Sequence, residues 1–163
     1  MRISVIIPAF NEERLLGATL SNLQSVLTVF SRRNWETELI VCDNNSTDRT
    51  AEIARAGGAQ VVFEPINQIG RARNRGAEAA SGDWLMFVDA DSHPSAELLN
   101  DAAAVIESGR CIAIGSTMRF DGHYPKASLV VRLWNGTSRL FRWLAGSFVF
   151  CNAEAFRKIG GFS

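Results

Sequence analysis

Trp84-Leu85-Met86-Phe87-Val88-Asp89-Ala90-Asp91 is a buried-strand pattern that ends in two carboxylates separated by one small residue. Five apolar residues in a row, without polar alternation, predict a strand covered on both faces. In extended backbone, residues two apart share a side, so Asp89 and Asp91 are expected to point together with Cα atoms about 7 Å apart. Like charges at a strand end repel unless a cation or a hydrogen-bond donor lies between them, and a divalent metal carrying a diphosphate meets that need. Asp89 suits a ribose hydroxyl, and Asp91, farther from the strand, suits Mn2+ or Mg2+. A competing reading makes Asp91 or Ser92 the cap of a helix near Pro94 and Ser95, which leaves Asp89 unexplained.

Outward from this strand the chain alternates strands and helices. Ile3 to Ile7 reads as a β-branched strand that Pro8 stops, and Asn11 is expected to cap a helix carrying Leu16, Leu20, Leu23, Leu27 and Phe30 at helical spacing. Glu38 to Cys42 is a second strand leading into the turn-rich run Asp43 to Asp48. The helix after it is expected to end at Gly57 in a left-handed stop. Val61 to Phe63, a helix over Gln68 to Ala80, a helix over Ser95 to Ser108 and a strand over Cys111 to Phe120 complete the pattern. Such alternation predicts an open α/β sheet, mostly parallel, with helices on both faces. Ligands of such sheets bind outside the carboxyl ends of the strands, which gathers Pro8 to Glu12, Asp43 to Ser46 and Asp89 to Asp91 around one crevice.

Composition narrows the partners. Seventeen Lys and Arg balance seventeen Asp and Glu in 163 residues, so no global positive field exists to hold nucleic acid. Cys42, Cys111 and Cys151 are odd in number and scattered among apolar neighbours, which predicts reduced core residues and a cytoplasmic address. The apolar tract Leu129 to Cys151 is broken by Arg132, Arg139 and Arg142 and does not read as a membrane span. Its Leu133, Trp134, Leu140, Phe141, Trp143 and Leu144 suit either a finished core or peripheral contact with a membrane's inner face. The polar loop Asp121 to Lys126 divides one expected domain, 1–163, into a nucleotide half, 1–120, and an acceptor half, 121–163.

At the strand ends, Asp43 is placed to accept from the N3 proton of a uracil, or alternatively to cap the entry of the next helix. Arg71 and Arg75 share one helix face with Arg73 opposite, so a single anion cannot engage all three. No glycine- and lysine-rich phosphate loop follows the first strand, which disfavours a nucleotidyltransferase, and no glycine triplet is present to favour a dinucleotide dehydrogenase.

Taken together, Val5 to Glu13, Asp43 to Asp48, Gly70 to Gly76 with Ala72, Arg73 and Asn74, Asp89 to Asp91, and Phe148 to Phe162 ending Ile159-Gly160-Gly161-Phe162 resemble glycosyltransferase family 2. The resemblance covers nearly the whole chain in order and spacing. It implies a GT-A type fold, like that of other nucleotide-diphospho-sugar transferases, and metal-dependent transfer with inversion from a nucleoside-diphosphate sugar, uridine diphosphate above all, to an acceptor hydroxyl. The alternative is a non-catalytic nucleotide-sugar-binding domain. By the same resemblance Pro8, Ala9, Phe10, Glu12, Asp43, Asn45, Arg73, Asp89 and Ala90 would bind the nucleotide sugar, and Asp91 and Asp89 would hold Mn2+ or Mg2+. The family's catalytic base follows the Gly-Gly-Phe segment, so it is expected beyond Ser163, in a longer enzyme of which this chain is the front part. Within the chain, Asp121 and Glu154 are the weaker candidates. Donor sugar, acceptor and oligomeric state are not written in these residues.

Overall fold

The computed structural model describes residues 1–116, Thr137 and 148–163. Its strands are β1 (Arg2–Ala9), β2 (Glu36–Asp43), β3 (Gln60–Phe63), β4 (Trp84–Val88), β5 (Ala113–Gly115) and β6 (Phe148–Asn152). The helices are α1 (Leu16–Val26), α2 (Thr28–Ser31), α3 (Thr50–Ala56), α4 (Ile69–Ala79), α5 (Ala96–Glu107) and α6 (Ala153–Lys158). One six-stranded sheet runs in the order β3-β2-β1-β4-β6-β5. Pairing is parallel from β3 through β4, and β6 runs antiparallel to both β4 and β5. The expected α/β sheet with helices on both faces is therefore present.

The period of two along β1 divides the core. Ile3, Val5 and Ile7 pack with Leu16, Leu20 and Leu23 of α1, Phe30 of α2 and Leu99, Ala103 and Ile106 of α5 on one face. Ile6 faces the other side, with Ile40, Leu85 and Phe87 against Ala77 of α4 and Phe156 of α6. Gly76 lets α4 approach closely, since a Cβ there would lie 2.4 Å from Ile6 Cγ2. Cys42 and Cys151 are buried free thiols, and burial pushes them up to about 12 and about 11.

Several local expectations are corrected. Pro8 does not stop β1, which continues to Ala9. Pro8 pairs with Cys42 of β2, while the β4 ladder has already ended at Ile6 and Phe87, so the missing N–H breaks no bond on that side. Asn11 caps no helix: it adopts φ 55°, and α1 begins at Leu16 without a side-chain cap. The left-handed stop after α3 is Gly58, at φ +75°. Gly57 has φ −78° and instead makes room for Leu20, whose Cδ1 would lie 2.6 Å from an added Cβ. β5 is short, and the rest of the expected strand, from 117 to 120, lies outside the described residues. So do Asp121, the loop to Lys126 and the aromatic and arginine residues from 129 to 147. Among the described residues no helix is long and apolar enough to cross a membrane.

Candidate functional site

In the order β3-β2-β1-β4, successive strands step outward from β1 through β2 to β3 and then return to its other side at β4. The direction changes between β1 and β4, and open α/β sheets form their ligand crevice where the order reverses. A cleft of about 250 Å³ lies there. Its walls are Pro8, Ala9, Phe10 and Glu12 from β1 and the loop after it, and Asp89, Ala90 and Asp91 from the tip of β4. Asn44 and Ile69 close the remaining side.

The loops after β1 and β2 are held to each other by an exchange of polar contacts. Asn11 N donates to Ser46 Oγ at 3.0 Å, and Asn11 Oδ1 accepts from Thr47 N at 2.8 Å. Glu12 N donates to Thr50 Oγ1, and Glu13 N to Asp48 Oδ2. Asn11 thus serves the loop pair, and its left-handed backbone is one that asparagine tolerates better than most residues. Asp43 Oδ1 accepts from Ser46 N at 3.0 Å, closing the turn after β2. Asp43 is buried and is not among the residues that line the cleft, and Asn45 stands exposed at the apex of its loop with φ 65°.

The tip of β4 differs from the sequence expectation. β4 ends at Val88, and Asp89 to Ser92 forms a turn in which Ser92 N donates to Asp89 O at 3.0 Å. The two carboxylates therefore reach one cleft through a turn rather than through strand alternation. The turn is tied down from beneath by the buried Thr19, whose hydroxyl donates to Ala90 O at 2.6 Å. The cap of α5 is Ser95, whose hydroxyl accepts from Leu98 N, so Asp91 is not committed to capping.

The three arginines of α4 separate as the helix face requires. Arg71 pairs with Glu64 at 3.0 Å and Arg75 with Glu78 at 2.9 Å, both away from the cleft. Arg73 Nη2 lies 2.8 Å from Asp89 Oδ1. Asp91 forms no ion pair among the described residues; its nearest polar contact is the Ser92 hydroxyl at 3.5 Å. Burial pushes the Glu12 carboxyl above the ordinary glutamate value, and the charges of Asp91, Asp48 and Asp89 push it farther. This negative potential, left uncompensated at Asp91 and Glu12, is an environment that a divalent cation relieves. Hard oxygen donors are the chemistry Mn2+ and Mg2+ take. Among the described residues no three such side chains are already gathered into a ready ligand set, so protein donors would be few and water or a ligand's own oxygens would complete the shell.

Sequence reasoning placed Asn44 at the crevice only as part of the run Asp43 to Ser46, and it missed Ile69 and Thr19. Asn44 sat within the turn-rich run but its side chain works locally, donating to Glu64 O and Ile66 O and fixing the loop before α4. Ile69 stands exposed at the start of α4, and nothing in its sequence position signalled this. Glu154 lies far from the cleft: α6 begins beside Trp84, at the opposite end of β4 from Asp89, and Glu154 pairs there with Lys158 at 2.7 Å.

A family model described as Glycosyl transferase family 2 matches residues 4–159. An uncharacterized glycosyltransferase of Mycobacterium tuberculosis (strain ATCC 25618 / H37Rv) is 32% identical over 141 residues, covering 84% of this chain and 60% of its own length. The chain thus spans 60% of that relative. Glucosyl-3-phosphoglycerate synthase of M. tuberculosis, solved in complex with uridine diphosphate, is similar at 28% identity and a TM-score of 0.64, over 93% of this chain and 57% of that one. A mannosyltransferase of Pyrobaculum calidifontis, solved with GDP-Man and Mn2+, shares the fold with a TM-score of 0.76 at 22% identity, over 99% of this chain and 47% of that one.

Proposed function

The chain belongs to glycosyl transferase family 2, and from that premise we propose that it binds a nucleoside-diphosphate sugar, with uridine as the nucleoside, in the cleft between the tips of β1 and β4. Transfer would proceed by in-line attack of an acceptor hydroxyl on the anomeric carbon, opposite the departing diphosphate and with inversion. One observation carries the reading. Glu12, Asp89 and Asp91 line one cleft at the reversal point of the sheet, and of these three only Asp89 has a cationic partner among the described residues. The uridine complex of the synthase that is 28% identical supports the choice of nucleoside.

Asp91, with Glu12 beside it, would hold a divalent ion. Such an ion, when bound, supplies Lewis-acid compensation for charge developing on the leaving diphosphate. The chain's own residues do the rest of the binding work. Asp43 lies at the tip of β2, beside the cleft rather than in its lining; one carboxylate oxygen is engaged by Ser46 N, and its other oxygen would accept a hydrogen bond from the N3–H of a uracil that extends past Ala9. Asn44 fixes the loop before α4, the helix at whose start Ile69 lines the cleft. Phe10 and Ile69, both exposed, give the cleft apolar surface for a nucleoside.

Calorimetry of the chain with uridine diphosphate and Mn2+ tests this. Binding that requires the metal, together with a rise in Tm by linkage of ligand binding to folding, is the expected result. Absence of any heat of binding with the metal present overturns the reading. Asp43→Ala is expected to narrow the preference for uridine over cytidine diphosphate, because cytosine lacks the N3 proton.

A further inference from the structure

The turn after α6 lies against the same helix that carries Arg73, and it is built for close contact. Gly160 and Gly161 both adopt φ +82°, a conformation that side chains rarely take. A Cβ on Gly161 would lie 2.5 Å from Asn74 Oδ1. That closeness lets the Asn74 carboxamide pair twice with the backbone of one residue. Nδ2 donates to Phe162 O at 2.8 Å, and Oδ1 accepts from Phe162 N at 2.9 Å. The Phe162 ring is then fixed edge-on to Phe87 at 5.0 Å and against Phe156 at 5.5 Å, Phe87 being the residue two before Asp89 on the chain. Above that ring lies the Arg73 guanidinium, its central carbon 5.2 Å from the ring centroid. Arg73 Nε is buried with no hydrogen-bond acceptor among the described residues, while Nη2 reaches Asp89. An aromatic face is the surface on which a guanidinium can rest without such an acceptor.

Resting on the reading of the cleft as a cation and diphosphate site, we infer that Asn74 and Phe162 are positioning residues that hold Arg73 on Asp89. Their effect is to set the charge of the cleft. With Arg73 in place Asp89 is compensated, and the cation-binding charge falls to Asp91 and Glu12. Without the ring beneath it, Arg73 loses the contact that favours this rotamer, and Asp89 becomes a free carboxylate beside Asp91. The ion alone would then bind more tightly, and the site would depend less on a diphosphate to complete its shell.

The test is the affinity of the full chain for Mn2+ alone, read from the loss of the free-ion signal in electron paramagnetic resonance, without nucleotide. Arg73→Gln, Phe162→Leu and Asn74→Ala are each expected to bind Mn2+ about threefold or more tightly than the parent, since a cation near the site is removed or loosened. Phe162→Tyr, which keeps the ring, is expected to match the parent. The gain from Phe162→Leu should vanish in the Arg73→Gln background, because both act on one contact. Damage to folding weakens a site, so a gain in affinity separates positioning from mere loss of packing. If Arg73→Gln gains affinity and neither Phe162→Leu nor Asn74→Ala does, the positioning role is overturned while the cation site stands. If Arg73→Gln gains nothing, charge compensation by Arg73 is overturned. If neither the parent nor any variant binds Mn2+ or uridine diphosphate, the functional reading itself falls.

Discussion

At the amino ends of the strands, Glu38 is a carboxylate with every need met. It accepts from the buried Ser4 hydroxyl, from Ser81 N and from the Ser81 hydroxyl, and Arg2 lies within 3.9 Å. Burial alone would push its carboxyl up, and these donors outweigh burial and hold it below the ordinary glutamate value. At the carboxyl ends of the same sheet Glu12 is pushed the opposite way, by burial and by its acidic neighbours, and Asp91 has no cationic partner among the described residues. One end contains acids that finish the fold; the other contains acids whose partner the fold does not supply. A raised carboxyl such as that of Glu12, in a cleft lined by two further acids, is the kind of arrangement whose repulsion a bound ligand relieves.

The strongest break of this contrast is Asp91→Ala. Calorimetry should show uridine diphosphate binding weakened by at least about 100-fold in Mn2+ and no longer responsive to the metal, because an ion-holding carboxylate is gone. Its stability without ligand should stay within about 0.5 kcal/mol of the parent's, since Asp91 is exposed and scarcely bonded. Unchanged metal dependence would end the distinction between the two ends. Glu38→Gln is the converse. It should cost about 1–2 kcal/mol in denaturant unfolding, by leaving the Ser4 and Ser81 donors less well matched, and leave metal-dependent nucleotide binding as it was.

The contrast explains what could be read from the residues. β4 was legible to the residue, Trp84 to Val88, because five apolar side chains buried on both faces leave no other periodicity to choose from. Ser95 was legible as a helix start because its hydroxyl acts three residues away. The acids at the tips of β1, β2 and β4 were visible as clusters, since turns and strand ends are local. Three things were not local. The turn at Asp89 to Ser92 replaced the extended backbone assumed for it, and the contact from Thr19, 71 residues earlier, ties it down. The antiparallel direction of β6 is absent from its apolar pattern, which is the same read either way along the strand. The partner of Asp89 depended on α4 packing closely enough, through Gly76 against Ile6, to bring Arg73 across to the tip of β4.

The smallest expected effect has the sharpest sign. A carboxyl held below its ordinary value stabilises the fold above the unfolded value of 4.5, and that stability is lost as pH falls through the folded value; this is Glu38. A carboxyl pushed above its ordinary value favours the fold most when protonated, below 4.5, and that contribution is lost as pH rises through the raised folded value; this is Glu12. Glu12→Gln should therefore raise stability at pH 7 in metal-free buffer, by no more than about 0.5 kcal/mol at so accessible a cleft, and the gain should disappear below pH 4.5. Mn2+ should reverse the sign, since a bound cation makes the charged carboxylate the favoured form. Thermal unfolding of parent and variant across pH, with and without Mn2+, reads both signs in one series. A Glu12→Gln gain that persists when Mn2+ is present would mean that Glu12 faces the cleft without serving the ion, and the holding charge would rest on Asp91 alone.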